Sequence, residues 1–185
     1  MSKKIETSLK AFFRDKTILV TGGTGSIGRQ IVKKLTSCSP KKIIVFSKDD
    51  SKQYMMKNEY GDHPEVAFAL GDVRDASRVR QLVKGVDIIF HAAALKQVPT
   101  CEDNPFEAVQ TNIIGGQHII EAAIEHEVSH VVNISTDKAV NHHTEYITKK
   151  KKKPTFWLLQ LLYLQFLYRI LLLKLHFRIL EEILL

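Results

Sequence analysis

One stretch constrains the fold more than any other: Lys16-Thr17-Ile18-Leu19-Val20-Thr21-Gly22-Gly23-Thr24-Gly25-Ser26-Ile27-Gly28. Ile18, Leu19 and Val20 suit a strand buried on both faces, and Ile31, Val32 and Leu35 continue beyond the glycines with helical spacing. A strand that turns sharply into a helix exposes backbone amides at the helix start. Glycine lets that backbone close on an anion such as a pyrophosphate, where a side chain would hold it off. Glycines alone also fit a tight turn with no ligand, but with a strand on one side and an amphipathic helix on the other the stretch reads as a dinucleotide-binding loop.

At 185 residues the chain has room for one domain with a proper core. The net charge of +7 is misleading, because five lysines form the single block Lys149 to Lys153 and the remainder is near neutral. Nucleic-acid binding is therefore not expected. Cys38 and Cys101 sit in unrelated contexts, without the paired spacing of a metal site or a disulfide framework, so no metal is expected and a reducing cytosol is the expected setting. Met1 to Arg14 lacks the apolar core of a signal peptide. Ile5, Leu9, Phe12 and Phe13 predict a short helix there, packed on the domain edge.

Further strands are predicted at Lys41–Phe46, Val66–Leu70, Gly85–Phe90 and His130–Ile134, alternating with helices over Ser51–Tyr60, Ala76–Val83 with Asp75 as its cap, and Glu107–Glu127. Such alternation predicts a doubly wound parallel α/β sheet. Ligand chemistry then sits beyond the carboxyl ends of the strands. Ser47 takes the end of the second strand and Lys48 follows it, where an acidic residue would select NAD, so NADP is expected with NAD as the alternative. In the other reading Ser47 and Lys48 only cap a turn, and Asp49 or Asp50 reaches the ribose. Asp72 is a candidate adenine contact. Ala92 and Ala93 are small enough for a ribose or nicotinamide to approach. Asn112 reads as a buried structural amide or a functional group, and Ser135 to Lys138 either fall where a substrate would lie or form a strand-to-loop turn with solvated charges.

From about Lys16 to Asn141 the chain resembles the extended short-chain dehydrogenase/reductases, which share the Rossmann fold. Within them it is similar to the inverting UDP-N-acetylglucosamine 4,6-dehydratases of polysaccharide biosynthesis. The matching pieces are Thr21 to Gly28, Phe46-Ser47-Lys48-Asp49, Gly71-Asp72-Val73-Arg74-Asp75, His91 to Pro99, Thr111-Asn112 and Ser135 to Asn141. The first is widely shared; His-Ala-Ala-Ala-Leu-Lys-Gln-Val-Pro and Ser-Thr-Asp-Lys-Ala-Val-Asn are far more specific.

The resemblance implies a cofactor set of Thr21, Gly22, Gly25, Ser26, Ile27, Gly28, Ser47, Lys48, Asp72, Val73, Ala92 and Ala93, with Lys150 on the nicotinamide ribose. It implies oxidation at the sugar C4, loss of the C5 proton, departure of water from C6 and return of hydride to C6. By resemblance Thr136 would bind the sugar hydroxyl, Asp137 would protonate the leaving oxygen, and Lys138 would take the C5 proton. Lysine is a base only when neutral, which requires burial or neighbouring cations to lower its pKa. Lys96 would face the substrate, and Tyr146, four residues before Lys150, would take the hydroxyl proton. The family pattern has a proline after Asn141 and Gly-Ala-Thr or similar between that tyrosine and lysine; His142 and Ile147-Thr148-Lys149 stand there instead.

Composition changes after Asn141. Pro154 to Leu185 contains no glycine, alanine, valine, aspartate, asparagine or serine and is dominated by leucine. The expected division is an edge segment over 1–15, a dinucleotide-binding domain over 16–141 that is incomplete, and an atypical helical tail over 142–185. An out-of-frame end is the preferred reading of that tail, because a lysine run implies an adenine-rich tract. Gln160, Gln165 and Arg169 interrupt Phe156–Leu173 and argue against membrane contact. An amphipathic helix packed on the domain or on a partner is the remaining reading. A UDP-sugar is the implied partner, and a homo-oligomer stays open.

Overall fold

The computed structural model describes residues 3–134. Five strands, β1 (Thr17–Thr21), β2 (Lys42–Ser47), β3 (Val66–Leu70), β4 (Ile88–His91) and β5 (His130–Asn133), form one sheet in the order β3-β2-β1-β4-β5. Every pairing is parallel. The chain builds outward from β1 to β3, then returns to lay β4 on the other side of β1. That reversal puts the topological switch point between β1 and β4, where open parallel sheets bind ligands.

Alternation along the strands divides the core in two. Ile18 and Val20 of β1, Ile43 and Val45 of β2, and Ile88 and Phe90 of β4 face one side. There they meet Phe13 of α1 (Lys3–Phe13), Ile31, Val32 and Leu35 of α2 (Ser26–Thr36), and Met56 of α3 (Asp50–Glu59). Leu19, Phe46 and Ile89 face the other side, against Val79 and Val83 of α4 (Ala76–Val83) and Ile119, Ala122 and Ala123 of α7 (Gly115–Glu125). Burial on both faces explains why these strands read as continuous apolar runs. The helix expected at the start of the chain packs as anticipated, with Phe13 only 3% exposed and its ring 6.1 Å from Phe90.

Three boundaries differ from the sequence reading. Gly85 and Asp87 do not extend β4. Gly85 has a φ of +75°, and the Asp87 carboxylate instead accepts the Thr17 N–H at 2.8 Å, fixing the start of β1. Two short helices, α5 (Val98–Asp103) and α6 (Pro105–Val109), occupy a stretch with no amphipathic spacing. The long helix predicted over Glu107–Glu127 is interrupted by a π-helical turn at Gln110–Ile114 before α7. Such turns bulge one residue out of the helical ladder and are common beside functional sites. Asp75 does cap α4, its side chain accepting from the Arg78 N–H at 3.0 Å.

Candidate dinucleotide site

The loop after β1 is held shut by its own backbone. Gly22 donates to the Phe46 carbonyl at 2.8 Å and Gly25 donates to the Gly22 carbonyl at 2.9 Å. Gly22 has a φ of +64°, and a Cβ there would lie 2.7 Å from the backbone of Ala92 and Ala93. The loops after β1 and β4 therefore cross at the switch point in near contact. A Cβ on Gly28 would lie 2.4 Å from the Gly22 carbonyl oxygen, so this glycine lets α2 seat on the loop. Gly25 holds the N-cap of α2 with no side-chain acceptor, and no acidic residue stands in the first turn. Gly25, Ser26 and Ile27 are exposed while Gly28 is buried. The positive end of an 11-residue helix is thus left for an external anion.

Two of the predicted cofactor residues act from beneath. Thr21 is fully buried, its hydroxyl 2.6 Å from His91 Nδ1 and accepting from the Ala93 N–H at 3.3 Å. It fastens β1 to the β4 loop. Burial pulls the His91 pKa down to about 4, so the ring is neutral at ordinary pH. Val73 is also buried, packed against Gly115, and its carbonyl accepts from His118 Nδ1 at 3.1 Å. Its side chain belongs to the core under α7. Ala92 and Ala93 are half-buried at the crossing, and Lys96 is exposed farther along that loop.

Beyond β2, Ser47 Oγ lies 2.8 Å from Thr24 Oγ1 and accepts the Asp49 N–H at 3.2 Å. The second strand end is thereby tied to the glycine loop. Gln53 is buried and donates to the carbonyls of Ser47 at 2.9 Å and Ala69 at 2.7 Å, joining the ends of β2 and β3. Lys48 is exposed, with its amine 3.7 Å from Asp72 Oδ2. Burial raises the Asp72 pKa, but hydrogen bonds and charge from Arg74, with the charge of Lys48, outweigh it and hold the carboxyl below its ordinary value. Asp72 is therefore an ionised acceptor at the β3 end.

Asn112 sits in the π-helical turn, and its side-chain amide donates to the Leu95 carbonyl at 2.9 Å and accepts the Leu95 N–H at 2.8 Å. This paired bond resolves the two readings of Asn112: it is a structural amide that pins the loop carrying Ala92 to Lys96. Of the twelve described members of the predicted set, Gly22, Gly25, Ser26, Ile27, Ser47, Lys48, Asp72, Ala92 and Ala93 lie at or just beyond the carboxyl ends of β1 to β4, with Thr21, Gly28 and Val73 buried beneath them. Thr136, Asp137, Lys138, Tyr146 and Lys150 lie outside the described residues. Among the described residues no group of acidic, histidine and cysteine side chains is arranged to hold a metal ion. The ties from Thr24 to Ser47 and from Thr21 to His91 escape sequence reading, since the partners are 23 and 70 residues apart and only the shared strand ends could have suggested them.

A family model described as "polysaccharide biosynthesis protein" matches residues 18–156. The chain belongs to that family. An uncharacterized membrane protein of Methanocaldococcus jannaschii is 52% identical over 130 residues, covering 70% of this chain and 39% of that protein. A UDP-glucose 4-epimerase of Rickettsia canadensis is 46% identical over 132 residues, covering 69% of this chain and 38% of the epimerase. Among solved structures, Pen from Bacillus thuringiensis superposes with a TM-score of 0.68 at 41% identity, over 70% of this chain and 40% of Pen. The dTDP-glucose 4,6-dehydratase DesIV from Streptomyces venezuelae, solved with NAD bound, gives a TM-score of 0.57 at 29% identity, over 66% of this chain and 40% of DesIV. The family is thus an extended short-chain dehydrogenase/reductase group of the nucleotide-sugar epimerase and dehydratase type. This chain spans about two fifths of the length of the curated relatives it matches. Among its described residues no helix is long and apolar enough to cross a membrane.

Proposed function

We propose that this chain binds NADP across the β1–β4 switch point and belongs to a cytoplasmic nucleotide-sugar 4,6-dehydratase acting on UDP-N-acetylglucosamine. One observation carries the dinucleotide reading. The amino end of α2 is uncapped and open behind Gly25, with the crossing of Gly22 over Ala92 and Ala93 beside it. The pyrophosphate would lie on Ser26 and Ile27, the adenine against Asp72, and the nicotinamide half over Ala92 and Ala93. Lys48 supplies the cation that favours a 2′-phosphate, and Ser47, the residue at the β2 end, carries no competing carboxylate.

Bound NADP would supply reversible oxidation at the sugar C4. Thr136 holds the sugar hydroxyl, Tyr146 with Lys150 removes its proton, Lys138 takes the C5 proton, and Asp137 gives a proton to the departing C6 oxygen. Specific support for dehydration comes from the motif Ser135 to Asn141. The Rickettsia relative favours a second reading, UDP-sugar 4-epimerisation, which shares the C4 oxidation and lacks the loss of water.

Incubation of the full chain with UDP-N-acetylglucosamine and NADP separates the readings. Mass spectrometry of the sugar nucleotide should show loss of one water. An unchanged mass with inverted C4 stereochemistry would instead establish epimerisation. Cofactor binding with neither change would leave a non-catalytic NADP-binding module and overturn both.

A further inference from the structure

Asp72 is held by one neighbour along its whole carboxylate. Its Oδ1 accepts the Arg74 backbone N–H at 3.1 Å, and its Oδ2 accepts Arg74 Nε at 2.9 Å and Nη2 at 2.7 Å. The remaining guanidinium nitrogen, Nη1, reaches Glu107 Oε2 on α6 at 2.6 Å. Arg74 thus spans from the turn after β3 to the helix leading into the π-helical turn. A guanidinium is a rigid planar fork, so it fixes a carboxylate in orientation as well as in charge. Lys48 approaches the same Oδ2 from the β2 side at 3.7 Å. Without the fork, Oδ2 would lose both guanidinium donors, leaving the backbone N–H at Oδ1 and that lysine as the partners of the Asp72 carboxylate.

We infer that Arg74 is a positioning residue for the adenosine half of a bound dinucleotide: it aims Asp72 Oδ1, which keeps an unshared lone pair, at the exocyclic amine of adenine. This rests on the dinucleotide reading above. Its consequence is base specificity. An amine donor is accepted by the held carboxylate, whereas a ring carbonyl at the same position meets a fixed negative charge. Glu107 keeps the fork from swinging away, so it acts through Arg74 and not on the base.

A merely stabilising ion pair would behave differently. Arg74 and Glu107 are one-third and one-half exposed, and pairs of that kind add little to stability. Losing such a pair shifts melting slightly and leaves ligand preference untouched.

The test measures the affinity of the full chain for NADPH and for its hypoxanthine analogue, in which a ring carbonyl replaces the amine. Wild-type chain should prefer NADPH by about ten-fold, the scale of one charged hydrogen bond. Arg74→Gln should reduce that preference to within about two-fold, with Arg74→Lys between them, because lysine keeps the charge and loses the fork. Circular dichroism confirms that each variant is folded, and Glu107→Gln serves as a milder variant that should narrow the preference part-way. A wild-type preference that survives Arg74→Gln in folded protein would overturn the positioning role. Equal wild-type affinity for the two compounds would do the same. Failure of the wild type to bind either one would overturn the dinucleotide reading itself.

Discussion

Gly28→Ala should destabilise the chain by about 3 kcal/mol or more and abolish dinucleotide binding with it. The added methyl would lie 2.4 Å from the Gly22 carbonyl oxygen, 2.6 Å from Gly23 Cα and 2.9 Å from Gly23 C. All three are backbone atoms, so no rotamer change relieves the contact. Either α2 lifts away from the loop or the loop opens, and both movements carry the amides of Ser26 and Ile27 off the position where an anion would sit. Gly61→Ala is the matching control. Its Cβ would meet nothing nearer than an ordinary contact at 3.7 Å, and its effect should stay within about 0.5 kcal/mol. Urea denaturation of both variants reads the difference. A Gly28→Ala chain within about 1 kcal/mol of wild type would show that α2 does not depend on this close seating.

Acid should weaken the fold through His91. In the unfolded chain the ring titrates at its ordinary pKa of 6.5, whereas burial lowers the folded value to about 4. Between those pH values the unfolded state binds the proton and the folded state refuses it. Stability is therefore full above pH 6.5 and is lost progressively as pH falls toward 4. The whole window corresponds to about 3 kcal/mol. The partner at Nδ1 is the neutral hydroxyl of Thr21, which offers a charged ring no counter-ion. His91→Gln should flatten that part of the stability curve. Subtracting the variant's urea-derived curve from that of wild type isolates His91 from other titrating groups. A difference curve without slope across the window would remove the buried ring as an acid-sensitive element.

What the sequence disclosed follows from the range of the forces involved. β1, the glycine loop and α2 are adjacent in the chain, and their character lies in local spacing: Ile18 to Val20 for the strand, Ile31, Val32 and Leu35 for the helix face. Asp75 announced its cap because an N-cap needs only a residue three positions on. Nothing in the local pattern of α3 marks Gln53, yet it is buried with its amide donating to the carbonyls of Ser47 and Ala69. Those carbonyls lie on two different strands. The bond from Arg74 to Glu107 crosses 33 residues and follows from no periodicity. The π-helical turn is hidden for a related reason, since the apolar spacing of Ile113 and Ile114 continues through it. Asn112 turns toward Leu95 only once the β4 loop is in place. The candidate site was legible where it lies on the loops' own sequence and hidden where one loop is tied to another.

The central claim is that the open amino end of α2 receives a dinucleotide pyrophosphate. Its most direct measurement is a titration of isotopically labelled full chain with NADPH, followed by amide resonances in two-dimensional NMR. The amides of Gly25, Ser26, Ile27 and Gly28 should move together, saturably and with one site, accompanied by those of Ala92 and Ala93. Shifts confined to the lysine block at Lys149–Lys153, with the α2 amides unmoved, would contradict it.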